Sequence, residues 1–155
     1  MWEPKIRTLI LTSALMSLPV TGTALADGKL ETVATSKSFA ELQSALEDSV
    51  KANDMIVVAR ACASCGAAKR GVTIPGNMVV GVYRNDFAVQ MLEASVPAGI
   101  EAPIRFYLTE NDDGTASLSY RLPSTVFAPY GSEELNGMAR ELDVIWGKIV
   151  DGATK

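Results

Sequence analysis

Hydrophobic residues after position 26 recur with two spacings, which predict a mixture of strands and helices. Apolar residues three or four apart in "SFAELQSALEDSVKA" predict an amphipathic helix, and Ser38 with Glu41 forms a capping box at its start. The alternating stretch "KLETVAT" predicts a short strand before it. The β-branched run "MIVVA" (55–59) and the stretch "GNMVVGVY" (76–83) predict two further strands.

The clearest unit is a β-hairpin in "PIRFYLTENDDGTASLSYRLP". Two alternating runs flank a turn that contains Asp113 and Gly114, a pair typical of hairpin turns. One face of the hairpin is apolar, with Ile104, Phe106 and Leu108 on the first arm and Leu118, Tyr120 and Leu122 on the second.

Two more helices are expected around this hairpin. Asn85 or Asp86 is expected to cap a helix through "FAVQMLEAS". After the loop "PSTVFAPYG", a long C-terminal helix over 132–150 begins at Ser132, and its apolar stripe is expected to be core: Leu135, Met138, Leu142, Ile145, Trp146 and Ile149. The sequence therefore predicts the α+β class: an antiparallel sheet with helices packed on one face and a long C-terminal helix.

Residues 1–26 have the pattern of a secretory signal peptide. Lys5 and Arg7 precede the apolar run "TLILTSALMSL", and Ala24 and Ala26 fit an A-x-A cleavage site. The run is too short and too interrupted for a membrane span of ~20 apolar residues. We expect residues 27–155 to form a single α+β domain in the periplasm or another extracytoplasmic compartment.

Net charge limits the partners of that domain. Loss of Glu3, Lys5 and Arg7 with the signal changes the net charge from −4 to −5. An acidic chain without a basic stripe does not favour nucleic acid as a partner. With no further long apolar run, no membrane attachment is expected after signal cleavage.

The order of these elements, and the stretch from "GNMVVGVY" through "SYRLP" with the helix after it, resembles the domain-of-unknown-function 302 family. The resemblance covers roughly residues 30–150. It implies a TATA-binding-protein-like α+β fold, often assembled as a homodimer, and no established activity. It implies no role for the cysteines.

Candidate chemistry is concentrated in "RACASCGAAKRG" (60–71), because Cys62 and Cys65 are the only cysteines in a chain without histidine. A c-type haem site needs histidine after the second cysteine, where Gly66 stands. A structural zinc site needs four ligands, and only two thiols exist. Nine residues between Cys65 and Pro75 are too few for a thioredoxin fold.

Three interpretations of the pair stay open. An inert disulfide is a natural product of an oxidising compartment, although closing a four-residue loop contributes only ~2 kcal/mol. A reversible redox or sulfur-handling pair is favoured by the nearby Arg60, Lys69 and Arg70, which stabilise thiolates. A Cu(I) site would use both thiolates, with help from methionines among Met55, Met78 and Met91.

Within the redox interpretation, Cys62 is expected to be the attacking thiol because it lies nearer the start of a short helix. Two cysteines three apart on a regular helix would strain or unwind that turn when bridged, which would make the disulfide easier to reduce. The partner would be another protein or a small thiol. No cofactor is predicted.

No other residue set identifies an enzymatic activity, which favours a carrier or binding role over an enzyme. The acids Glu101, Glu110, Asp112 and Asp113 flank the hairpin, where acids usually serve solubility. Arg105, Phe127 and Tyr130 form a weaker candidate, a pocket between the "PSTVFAPYG" loop and the sheet. A non-catalytic binding or assembly module is therefore the alternative to thiol redox chemistry.

Overall fold

The computed structural model describes residues 29–155, so the expected signal peptide lies outside the described residues. Five strands are present: β1 (Glu31–Ala34), β2 (Ile56–Cys62), β3 (Asn77–Tyr83), β4 (Ile104–Glu110) and β5 (Ala116–Tyr120). Five α-helices accompany them: α1 (Phe39–Ala52), α2 (Ala63–Ala68), α3 (Asn85–Ala94), α4 (Pro123–Phe127) and α5 (Glu133–Thr154). Short 3₁₀ helices cover Val96–Glu101 and Ala128–Tyr130.

The strands form one antiparallel sheet in the order β1-β5-β4-β3-β2. The expected hairpin joins β4 to β5, with Phe106 opposite Tyr120. In its turn Gly114 has a φ of +80°, which favours glycine, and the Asp113 carboxylate accepts a hydrogen bond from the Thr115 amide at 3.0 Å.

Helices α1, α3 and α5 cover one face of this sheet, because alternate strand residues on that face are apolar. Ile104, Phe106 and Leu108 of β4 are buried in the same core as the helix residues. Trp146 of α5 stacks on Phe106 with ring centroids 5.0 Å apart. The expected α+β architecture, with helices on one face and a long C-terminal helix, is confirmed.

The stripe on the C-terminal helix is core, as expected. Five of its six residues are buried, while Ile145 is half-buried and packs at the margin. The helix extends four residues beyond the expected end at 150, and Val150 and Ala153 continue the buried stripe. Ser132 caps its start by accepting a hydrogen bond from the Leu135 amide at 3.2 Å.

Helix starts differ in how well they were predicted. The Ser38–Glu41 capping box is present at the start of α1. The expected cap of α3 by Asn85 or Asp86 is wrong: Arg84 occupies the N-cap position, and no side chain caps the helix. Asp86 instead accepts a hydrogen bond from the Arg84 guanidinium at 2.8 Å, so its carboxylate is already engaged.

Candidate functional site at the end of strand β2

The cysteine pair joins the end of an edge strand to a short helix. Strand β2 runs through Cys62, three residues further than the expected strand at 55–59, and α2 begins at the next residue. The β-branched residues favour the strand, and the small residues of "ASCGAA" are compatible with a helical turn. Cys62 and Cys65 form a disulfide, and their Cα atoms are 5.3 Å apart.

The backbone at Cys62 corrects the expectation of a strained bridge. Cys62 is the N-cap residue of α2 and has extended dihedral angles, φ −95° and ψ 99°. The bridge therefore connects a strand end to the first helical turn, and the Cα separation lies within the ordinary disulfide range of ~4.4–6.8 Å. The bridge does not have to unwind a regular helix, contrary to the expectation, because only Cys65 has helical backbone.

Polar groups surround the Cys62 sulfur. Its Sγ accepts a hydrogen bond from the Cys65 amide at 3.1 Å and lies 3.5 Å from the Ser64 hydroxyl. Ser64 Oγ also accepts a hydrogen bond from the Asn77 amide at 3.2 Å, which ties the turn to β3. Donors at these positions favour a negative charge on Cys62 Sγ when the disulfide opens.

The two sulfur-bearing residues differ in accessibility. Cys62 is half-buried and packs against the core, opposite Met78 in the β2–β3 ladder. Cys65 is exposed on α2. An incoming thiol therefore reaches Cys65, while Cys62 has the surroundings that stabilise a thiolate.

The expected cationic surroundings are only partly present. Arg60 forms a two-pronged ion pair with Glu47 of α1, with Nε–Oε1 and Nη2–Oε2 distances of 2.8 Å. Hydrogen bonding to Arg60 lowers the pKa of Glu47, and the same contact raises the pKa of Arg60. Lys69 and Arg70 are exposed after α2 and form no ion pair with a described residue. Of these three cations, only Arg60 therefore has its charge offset by an ion pair among the described residues.

The methionines considered for Cu(I) are not gathered around the cysteines. Met78 lies across the ladder from Cys62, but Met55 precedes the far end of β2, and Met91 lies on α3. All three are buried in the core. No cluster of three or more histidine, cysteine or acidic residues suited to a metal ion occurs within residues 29–155. The pair would thus offer Cu(I) two thiolates and the buried Met78 thioether as a neighbour.

The pocket that the sequence analysis expected between the "PSTVFAPYG" stretch and the sheet is not formed by the three residues named for it. Phe127 is buried in the core, and the Tyr130 hydroxyl donates a hydrogen bond to Glu101 at 2.9 Å. Arg105 lies on the opposite face of the sheet from the core, where β4 residues are not covered by α1 or α5. The three side chains therefore do not line one pocket, although Arg105 contributes to a different groove.

The acids near the hairpin have structural partners. The Asp113 carboxylate also accepts a hydrogen bond from the Thr115 hydroxyl at 2.6 Å, and these contacts lower its pKa. Glu110 accepts a hydrogen bond from the Gly76 amide, next to the backbone bond between the same two residues. These contacts fix the turn and the start of β3, so they supply no reason to assign the acids to catalysis.

Sequence reasoning missed two residues at the cysteine site, Ser64 and Glu47. Ser64 lies between the cysteines, so its position inside the C-x-x-C spacing was a usable signal. Glu47 is thirteen residues from Arg60 and on another element, so no local pattern connected them. Among the helices described, none is long and apolar enough to cross a membrane.

Comparison with known proteins establishes the family. No curated protein matches the chain. The crystal structure of an uncharacterized conserved DUF302 protein from Bacillus stearothermophilus has the same fold, with a TM-score of 0.72 and 16% sequence identity. The match covers 81% of this chain and 98% of that one. The model of the domain of unknown function DUF302 matches residues 31–151, and the chain therefore belongs to the DUF302 family.

Proposed function

We propose that this protein is an exported thiol–disulfide exchange protein that uses Cys62 and Cys65. The observation that carries the proposal is the asymmetry of the disulfide. Cys65 is exposed, whereas Cys62 is half-buried and accepts a hydrogen bond from the Cys65 amide. An accessible sulfur joined to a stabilised leaving group is the arrangement that thiol–disulfide exchange needs.

The exchange begins when the thiolate of a partner attacks Cys65 Sγ. The Cys62–Cys65 bond breaks, its electron pair goes to Cys62 Sγ, and a mixed disulfide forms between Cys65 and the partner. A second partner thiolate then attacks the partner sulfur, and the Cys65 thiolate leaves. The protein gains two electrons and, once its thiolates are protonated, two protons, and the two partner thiols become one disulfide.

The reverse direction differs from the expectation that Cys62 attacks the partner, because Cys65 is the exposed thiol and Cys62 is half-buried. Cys62 instead closes the protein disulfide in the second step. The Cys65 thiolate opens a partner disulfide and forms the mixed disulfide. The Cys62 thiolate then attacks Cys65 Sγ, which closes the protein disulfide and releases the partner thiol. The partner is a protein or a small thiol, and the protein acts as an electron carrier without a resident cofactor.

Export fits this chemistry because disulfides form and persist in oxidising compartments. The charged start, apolar run and Ala-x-Ala ending of residues 1–26 support secretion to the periplasm or an equivalent compartment. The homodimer implied by the family resemblance stays a prediction. Sedimentation velocity in an analytical ultracentrifuge would test it by measuring the mass of the protein in solution.

The decisive experiment is a redox titration of the protein spanning residues 27–155 in glutathione and dithiothreitol buffers, read by alkylation and mass spectrometry. We expect full reversibility and a potential above about −300 mV, the upper bound of structural disulfides. A lower potential, or a disulfide that mild reduction does not open, would establish the inert alternative.

Single variants test the assignment of roles. Cys62→Ser should form a stable mixed disulfide through Cys65 with an aromatic disulfide reagent, whereas Cys65→Ser should react more slowly because Cys62 is half-buried. In Cys65→Ser, adding Ser64→Ala should raise the pKa of the Cys62 thiol, because it removes the hydroxyl 3.5 Å from Sγ. Ser44→Ala on the exposed side of α1 is the matched control and should leave that pKa unchanged. Equal reactivity of the two thiols would contradict the assigned roles.

A further inference from the structure

Strand β2 has an unpaired edge that ends at the cysteine pair. In the sheet order β1-β5-β4-β3-β2 it pairs with β3, and no other described strand lies along its outer side. The strand ends at Cys62, which is bonded to the exposed Cys65. The open edge and the accessible disulfide are therefore continuous.

The two edges of the sheet differ in their protection against a further strand. Natural edge strands are short, or carry charges, prolines or bulges that prevent pairing. Edge strand β1 has four residues, and its Glu31 carboxylate lies 3.2 Å from the Lys29 ammonium. Edge strand β2 has seven residues, and its single charged residue, Arg60, is already paired with Glu47. Strand β2 is therefore the edge more open to pairing.

A β-bulge limits the usable part of this edge. The register of β2 against β3 shifts between Val57 and Ala59, which bends the strand there. From Ala59 to Cys62 the register is regular, with one residue of β2 opposite each residue of β3. The first three residues of this segment are exposed. Residues 59–62 thus form a regular, largely uncovered edge that leads to the disulfide.

We propose that residues 59–62 bind an extended polypeptide segment that carries a cysteine, as a sixth strand antiparallel to β2. This inference rests on the proposed thiol–disulfide exchange and names its partner as a polypeptide chain rather than a small thiol. Every strand pair in the sheet is antiparallel, and antiparallel pairing is slightly more stable than parallel pairing. Main-chain hydrogen bonds to an open edge are a general mode of peptide binding.

The register brings the thiol of such a segment to the disulfide. A peptide residue opposite Cys62 has its Cβ ~4.5–5.5 Å from the Cβ of Cys62, and both side chains point to the same face. A cysteine at that position reaches Cys65 Sγ, which is bonded to Cys62 Sγ. Its thiolate attacks Cys65 Sγ, the Cys62–Cys65 bond breaks, and the electron pair goes to Cys62 Sγ.

The same register determines which residues follow the cysteine. In an antiparallel pair, the next three peptide residues lie opposite Ala61, Arg60 and Ala59. The two alanines are small and exposed, and Ala61 pairs with the half-buried Val79, so the first and third positions accommodate apolar side chains. Arg60 is engaged by Glu47, so the second position gains no ion pair. The preferred segment is therefore a cysteine followed by apolar residues at alternate positions.

The test uses Cys62→Ser in the protein spanning residues 27–155, so that Cys65 is the single thiol. The probe is a peptide with blocked ends, a cysteine followed by Val-Thr-Val-Thr, joined through its sulfur to a coloured aromatic thiol. The Cys65 thiolate attacks the peptide sulfur, the aromatic thiolate leaves, and its absorbance gives the rate. We expect this peptide to react about tenfold faster than the reversed peptide, whose cysteine is last, or the corresponding mixed disulfide of mercaptoethanol.

Backbone methylation of the peptide distinguishes strand pairing from contact through side chains. Alternate amides of a strand point in the same direction, so either the two valine amides or the two threonine amides face β2. Methylating the set that faces β2 removes its hydrogen bonds and should abolish the preference, whereas methylating the other set should retain it. Loss of the preference in both methylated peptides, or in neither, would overturn the proposal.

A lysine on the edge tests where the peptide binds, because natural edge strands use lysine to prevent pairing. Ala59→Lys should lower the rate of the first peptide to that of the reversed peptide and leave the mercaptoethanol rate unchanged. Ala128→Lys adds the same charge at an exposed position in the 3₁₀ helix Ala128–Tyr130, outside the sheet, and should change neither rate. An undiminished peptide rate in Ala59→Lys, or an equal loss in Ala128→Lys, would contradict binding at β2. Circular dichroism reports whether each variant is folded.

The outcomes separate this inference from the proposed function. A Cys65 thiol that reacts with none of the probes would contradict both. Reaction with the mercaptoethanol disulfide but no preference for the first peptide would leave thiol exchange in place and overturn polypeptide pairing. A dimer in sedimentation velocity that Ala59→Lys dissociates, together with no peptide preference, would show that β2 binds a second copy of the chain and would also overturn the proposal.

Discussion

At the scale of single residues, the cysteine site depends on side chains that a count of cysteines does not identify. Ser64 Oγ lies beside Cys62 Sγ and accepts a hydrogen bond from the Asn77 amide, so one hydroxyl connects the sulfur to the neighbouring strand. Arg60 is two residues from Cys62 in the sequence, yet its guanidinium is paired with Glu47. Closeness in the sequence was therefore a poor guide to the effect of the Arg60 charge, because Glu47 offsets that charge.

The Glu47–Arg60 pair predicts a pH-dependent stability. Because Arg60 lowers the pKa of Glu47, the folded state binds a proton at this carboxylate less readily than the unfolded chain does. The stabilisation is present above the ordinary value of 4.5 and is lost as the pH falls through the lowered pKa. Glu47→Gln should reduce the free energy of unfolding at neutral pH by up to about 1 kcal/mol, as for partly exposed ion pairs.

Urea denaturation across a pH series measures this effect. The difference between Glu47→Gln and the wild type should narrow below pH 4.5, where protonation begins to remove the pair from the wild type. Asp48→Asn is the matched control, because Asp48 is the exposed neighbour of Glu47 and forms no ion pair with a described residue. A difference that is constant with pH would contradict the role of the Glu47 charge.

At the scale of elements, the close approach of α1 and α5 depends on a glycine. A Cβ atom at Gly152 would lie 2.5 Å from Ser49 Oγ and 3.2 Å from Ser49 Cβ. Ser49 is buried, and its hydroxyl donates a hydrogen bond to the Ile149 carbonyl at 2.9 Å. A side chain at position 152 would therefore displace a bonded hydroxyl or separate the two helices.

Two glycine-to-alanine variants in α5 should change stability in opposite directions. Gly152→Ala should lower the free energy of unfolding because of the clash with Ser49. Gly147→Ala should raise it by roughly 0.5–1 kcal/mol, since alanine is the better helix former and no heavy atom lies within 4 Å of the added Cβ. Urea denaturation of both variants measures these two changes in the free energy of unfolding. A stabilised Gly152→Ala would show that the helices accommodate the methyl group.

At the scale of the whole molecule, the sheet separates three regions. The helix-covered face holds the core, including Trp146 stacked on Phe106. The open face holds a groove beside Arg105, and the disulfide lies at the end of the edge strand β2. The disulfide thus lies at the margin of the core, with Cys65 exposed and Cys62 half-buried.

The signal-peptide interpretation predicts the first residue of the mature protein. If residues 1–26 are a cleaved signal, the protein purified from its native compartment should begin at Asp27. Intact-mass spectrometry of the periplasmic fraction measures this. A variant with Ala24→Leu and Ala26→Leu should remain uncleaved, because the cleavage site requires small residues. An intact chain beginning at Met1 in the wild type would contradict export with cleavage.

Local patterns in the sequence were sufficient to predict the five strands, helices α1, α3 and α5, the α+β class, the hairpin, and the buried stripe on α5, because each depends on residues close together in the chain. The expected loop "PSTVFAPYG" was wrong: it contains helix α4 and a short 3₁₀ helix, which its proline-punctuated sequence did not reveal. Tertiary structure decided the rest. The extended backbone at Cys62 and the pairing of Arg60 with Glu47 depend on how separate elements meet. Periodicity determines which face of an element is apolar, but the register between elements determines which side chains become neighbours, and no local pattern contains that register.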